Sequence, residues 1–95
     1  MGTAARTKPK RLAAKLLQIR VGLELTQEEL IVRLDCEREL ARSNITGFEQ
    51  GLREPSLLIL LRYARLANVP TDVLIDDDLE LPTKLPVTKS DRSRK

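Results

Sequence analysis

Ninety-five residues make one folded domain with tails, and a core drawn from 18 leucines against one Phe, one Tyr and no Trp suits packed helices better than a sheet. The same scarcity of rings argues against single-stranded nucleic acid as a ligand, because stacking needs aromatic platforms. The absence of histidine removes the usual zinc spacings, the lone Cys36 rules out an internal disulfide, and the longest apolar run, Leu57 to Leu61, is far too short to span a bilayer.

Charge is divided along the chain. Residues 1–20 hold six bases and no acid, residues 21–80 hold thirteen acids and six bases, and the last fifteen residues are basic again. The net charge of +3 therefore makes no case by itself for a polyanionic partner. No secretory apolar region follows the N-terminal charges, so a reducing, cytoplasmic setting without a membrane partner is expected.

Residues 1–9 are small, polar and basic, end at Pro9, and read as a mobile arm. Leu12, Leu16, Ile19 and Leu23 then fall on one helical face and predict a first helix over about 10–23. Thr26-Gln27-Glu28-Glu29 has the form of a capping box, opening a second helix over about 27–35 with Leu30, Ile31 and Leu34 inward. After the charged stretch Asp35-Cys36-Glu37-Arg38-Glu39, the apolar set Ala41, Ile45, Phe48 and Leu52 predicts a third helix over about 42–50, ended by a left-handed Gly51. Cys36 reads as a turn or edge residue without chemistry.

Pro55-Ser56 opens a fourth helix with Leu57, Leu60, Leu61 and Ala64 inward, and Asn68 can end it in the left-handed conformation. Thr71 can cap a short fifth helix holding Val73, Leu74 and Ile75. The run Asp76–Asp78 reads as a solvated helix end rather than a metal site, and residues 79–95, with Pro82 and Pro86, read as a flexible tail. The expected architecture is all-α: five short helices in one compact bundle over residues 10–78.

The second and third helices carry the functional signal. A short helix, a turn and a helix with one apolar and one polar face is the layout that sets a helix into a DNA major groove. The outward arc of the third helix holds Ser43, Thr46, Gly47 and Gln50, flanked by Arg42 and Asn44, with no acid between 42 and 48. Hydrogen-bonding groups and a guanidinium without carboxylates suit a groove lined by phosphates and base edges.

The run Arg20-x-x-Leu23-x-Leu25-Thr26-Gln27-Glu28-Glu29-Leu30, followed by Ile45-Thr46-Gly47-Phe48-Glu49-Gln50-Gly51-x-Arg53-Glu54-Pro55-Ser56, resembles the phage-repressor-like (Cro and XRE-type) helix-turn-helix family. The segment Leu60-x-x-x-Ala64-x-x-Ala67-x-Val69-x-x-Asp72-x-Leu74-Ile75 continues the likeness, which covers roughly residues 10–78. The resemblance implies a lambda-repressor-like fold and sequence-specific double-stranded DNA binding in transcriptional control, as a repressor and a homodimer. It implies that Gln27 holds a phosphate at the second helix's N-terminus, that Arg42, Ser43, Thr46 and Gly47 face bases, and that Asn44, Gln50 and Arg53 serve phosphates or the edge of the site. It further implies a partly buried structural ion pair between Arg20 and Glu49.

The chain departs from that family in two places. About four extra residues lie between Leu30 and Ile45, to be taken up by a longer helix or a bulged turn, and Ala41 stands where a Ser or Thr cap is usual. Glu24 replaces a glycine after the first helix, so either Glu24 is left-handed at a cost of about 1 kcal/mol or Gly22 takes that role. The arm residues Arg6, Lys8 and Lys10 have two readings, a reach to the minor groove or a solubilising tail. The exposed end of the fifth helix with Leu79 and Leu81 is the expected homodimer contact. No cofactor and no enzyme chemistry are expected, for want of histidine, a Gly-rich phosphate loop or a placed carboxylate pair. Two rivals stay open: an antitoxin that also masks a toxin protein through its tail, and a protein-interaction module on the same fold.

Overall fold

The chain is described by a computed structural model for residues 8–86, so Arg6 and the last nine residues lie outside the described part. Five helices follow in order: α1 Leu12–Gly22, α2 Gln27–Arg33, α3 Arg42–Glu49, α4 Leu57–Ala67 and α5 Thr71–Ile75. Among the described residues there is no strand. The expected five-helix, all-α bundle is what forms, each helix a little shorter than its apolar period.

The helix ends explain the shortening. At α1, α2, α3 and α4 the chain leaves through a left-handed residue: Glu24 (φ 63°), Asp35 (φ 58°), Gly51 (φ 77°) and Asn68 (φ 61°). Each time the next amide bonds back to a carbonyl five residues earlier: Leu25 to Arg20 (3.0 Å), Cys36 to Ile31 (3.2 Å), Leu52 to Gly47 (2.9 Å) and Val69 to Ala64 (2.9 Å). This is the Schellman closure, which satisfies carbonyls otherwise left without a partner. Glu24, not Gly22, takes the left-handed role after α1.

The starts are less uniform. Thr26 and Glu29 close the expected capping box on α2, with Glu29 N–H donating to Thr26 Oγ1 (3.1 Å) and Thr26 N–H to Glu29 Oε1 (2.9 Å). Ser56 accepts from Ile59 N–H (3.2 Å) at α4. Thr71 was expected to cap α5, but it is the helix's first residue and Pro70 precedes it as the cap. Arg11 at the start of α1 offers no side-chain cap. Instead the Asp77 carboxylate accepts from the amides of Lys10 (2.9 and 3.1 Å) and Arg11 (3.0 Å), across the whole fold. That contact places the negative charge at the positive end of α1 and holds the carboxyl below its usual range, chiefly through the Lys10 amide bond.

The core is a continuous cluster of Leu12, Leu16, Ile19, Leu30, Leu34, Ile45, Phe48, Leu60, Tyr63, Ala64 and Leu74, closed by residues from the connections. Expected inward positions fail at three places. Ala41, Leu52 and Leu57 are exposed, because Ala41 is an extended residue before α3, because Gly51 carries the chain off the α3 axis before Leu52, and because α4 turns Ile59, Leu60, Tyr63 and Ala67 inward. Cys36 is buried rather than at an edge; burial pushes its thiol up from its ordinary value. Lys15, one of the six bases of residues 1–20, is 1% exposed. Its ammonium donates to the carbonyls of Val73 (2.7 Å) and Asp76 (2.9 Å), so a buried cation closes the negative end of α5.

Residues beyond α5 also pack on the domain. Leu81 joins the core and Leu85 lies across Gly22, where an added Cβ would come within 2.8 Å of its side chain. Leu81 is therefore unavailable for the homodimer contact expected of it, while Ile75 and Leu79 stay exposed.

Candidate functional site

Residues 34–41, between α2 and α3, lengthen neither helix. Cys36 plugs its side chain into the core, and its carbonyl accepts from the amides of Glu39 and Leu40 (both 3.0 Å), closing one turn at the tip. Arg62 of α4 braces the turn from below, donating to the carbonyls of Leu34 (3.3 Å) and Asp35 (3.0 Å). The chain then enters α3 through an extended Ala41. Ala41 has no oxygen with which to cap, and its own amide is taken by Asn44 Oδ1 at 2.8 Å. Asn44, expected at the phosphates or the edge, thus has its oxygen committed to the helix start.

α3 buries Ile45 and Phe48 and packs against α1 and α2. The bidentate pair between Arg20 and Glu49 ties its C-terminal end to α1: Nε to Oε2 at 2.7 Å and Nη2 to Oε1 at 3.1 Å. A third guanidinium bond reaches the Leu25 carbonyl (3.1 Å), so one side chain joins the end of α1, the turn after it and α3. The carboxylate partner raises the Arg20 pKa further, against the opposing effect of burial.

On the outer side, Arg42, Ser43, Gln50 and Arg53 are exposed and Thr46 is half-buried. Gln27, in the first turn of α2, donates from Nε2 to Thr46 Oγ1 at 3.1 Å, which registers the two helices against each other. Gly47 does not face outward as expected. It is buried, with the Arg53 stem lying over it; an added Cβ would stand 3.1 Å from Arg53 Cδ. The bare glycine lets the Arg53 stem fold back over α3.

Comparison with known proteins does not add to this geometry. No family model, curated protein or solved structure matches the chain. The site is therefore described by its own residues: a face with the guanidinium groups of Arg42 and Arg53, the hydroxyls of Ser43 and Thr46 and the carboxamides of Gln27 and Gln50, set on α3 where it packs against α1 and α2. Sequence reasoning missed Glu28, whose carboxylate reaches Arg42 at 3.8 Å from the neighbouring helix. Absence of acids from 42 to 48 describes one helix, and the acid arrives from another. It also missed the open cleft of about 470 Å³ beside the end of α3, where Lys8, Lys10 and Arg53 meet Gly51.

Proposed function

We propose that this chain binds double-stranded DNA through α2, the following turn and α3, with α3 in the major groove, and that it regulates transcription as a repressor in the cytoplasm. The lambda-repressor-like form of the bundle and assembly as a homodimer on a two-fold site belong to the same proposal. The observation that carries it is the presentation of α3. Ile45, Phe48 and the buried Glu49 anchor one side, while Arg42 and Ser43 stand clear at the N-terminal end, the end that enters a groove in helix-turn-helix proteins.

In this reading Arg42, Ser43 and Thr46 face base edges and Arg53 takes the place expected of Gly47. Gln27 and Gln50 serve the backbone. Lys8 and Lys10 continue the basic edge, and the reading assigns them to flanking phosphates. No helix among the described residues is long and apolar enough to cross a membrane. For the second copy, exposed apolar residues include Ile75 at the end of α5 and Leu79 after it and, nearer α3, Leu52, Leu57 and Leu58.

Selection of bound sequences from random duplex, followed by a salt titration, tests the proposal. A preferred sequence should emerge, and affinity should fall steeply between about 50 and 200 mM salt. Arg42→Ala should lose roughly 1–3 kcal/mol and relax preference at one base pair. Absence of duplex binding at low salt, or binding indifferent to salt, refutes it in favour of a protein-interaction module.

A further inference from the structure

Glu28 is the feature of the outward face that neither the fold nor the proposed binding accounts for. Its neighbour Glu29 closes the capping box of α2, so one carboxylate of that turn is spent on local structure. The Glu28 carboxylate instead leaves its own helix and meets the Arg42 Nε at 3.8 Å. Both side chains are open to solvent, Arg42 at 67% and Glu28 at 74%, and such exposed pairs contribute little to stability. The pair is therefore not a device for holding the fold.

The helix that carries it is nevertheless registered: Gln27, one residue away, binds Thr46, which sets the first turn of α2 against the outer face of α3 and brings Glu28 within reach of Arg42. Between them lies an open depression of about 440 Å³ lined by Arg20, Thr26, Gln27, Glu28 and Arg42.

We propose that Glu28 is a specificity-determining residue: it holds Arg42 away from phosphates and reserves its guanidinium for a base edge. This rests on the duplex-binding reading above. An unpaired arginine at that place would neutralise phosphate on any sequence, adding affinity without discrimination. With a carboxylate beside it, that gain is offset by repulsion between Glu28 and the backbone. A guanine edge restores the balance, because Glu28 engages the guanidinium on its Nε side and leaves the two Nη groups to donate to O6 and N7. The carboxylate then lies in a desolvated interface beside its counter-ion, where the pair is worth more than in water. Glu28 lowers affinity for wrong sequences more than for the right one.

The test uses the full chain with Glu28→Gln, Arg42→Ala and the double variant. Dissociation constants are measured on the selected duplex and on a scrambled duplex over a range of salt, with melting temperatures alongside. Glu28→Gln should leave melting unchanged and tighten the scrambled duplex about tenfold at low salt, with a salt slope steeper by about one. The selected duplex should tighten much less, so the ratio between the two falls. In the Arg42→Ala background the same change should move both duplexes by one common factor. Equal shifts on both duplexes in the otherwise native chain, or no shift on either, overturn the proposal while leaving duplex binding intact. A native chain that binds neither duplex overturns the DNA reading itself, and this proposal with it.

Discussion

Replacing Arg20 by alanine strands Glu49 and tests the join between α1 and α3. The Glu49 side chain is 7% exposed and that of Arg20 is 19% exposed, and their two bonds are 2.7 and 3.1 Å long. Unit charges about 4 Å apart attract by roughly 4 kcal/mol at an effective dielectric of about 20. Breaking a buried pair from one side costs about 3–5 kcal/mol, most of it the penalty on the charge left behind. The guanidinium still touches water, so the lower end applies, and about 3 kcal/mol is expected. The lost bond to the Leu25 carbonyl adds little, as that turn can be rehydrated.

For a domain of this size each kcal/mol moves the melting temperature by about 4–8 °C, so a fall of about 12–24 °C should appear by circular dichroism or calorimetry. Arg20→Lys should fall in between, since an ammonium cannot make the forked contact. Arg20→Met combined with Glu49→Leu should recover most of the loss, because no charge is then left buried. A single variant melting within about 3 °C of the native chain, or a double variant as unstable as the single one, would refute this account of the pair.

Three further outcomes are expected. Asp77 has a lowered pKa in the fold, so its contribution is full well above the ordinary value of 3.8 and is lost as pH falls through the lower folded value. The native chain should therefore outlast Asp77→Asn in urea at neutral pH and lose that advantage below pH 3.8; a pH-independent difference would count against it. Tyr63 is fully buried, its hydroxyl has no hydrogen-bond partner among the protein atoms, and burial raises its pKa, so Tyr63→Phe should stabilise by about 1 kcal/mol in chemical denaturation. Gly22→Ala should gain helix propensity, up to about 1 kcal/mol, only when Leu85→Ala removes the side chain 2.8 Å from the new Cβ. In the otherwise native chain it should displace Leu85, read as increased amide exchange at Leu81 to Leu85; equal stability gains in both backgrounds would show that Leu85 is not held there.

Much of the fold was legible because its determinants are local. Thr26 with Glu29, Gly51 and Asn68 announce helix boundaries through bonds that span no more than five residues. The apolar periods of α1 and α2 name their buried faces correctly. At Leu52 and Leu57 the period runs past the helix or starts before its packed part, and periodicity alone does not see where a neighbour ends. The pairing of Arg20 with Glu49, 29 residues apart, came from a family resemblance and not from any spacing rule.

What the sequence determined by itself was the all-α class, the placing of five helices and the polar character of the face at Arg42 to Gln50. Each follows mainly from propensity, apolar period and hydrogen bonds within about one turn, so most of its cause lies in neighbouring residues. Tertiary structure alone decided that Lys15 is buried beneath α5, that Asp77 caps α1, that Arg53 covers Gly47 and that Glu28 comes to Arg42. Those contacts join groups that packing brings together, and a charge pattern read along the chain carries no record of which helix will lie beside it.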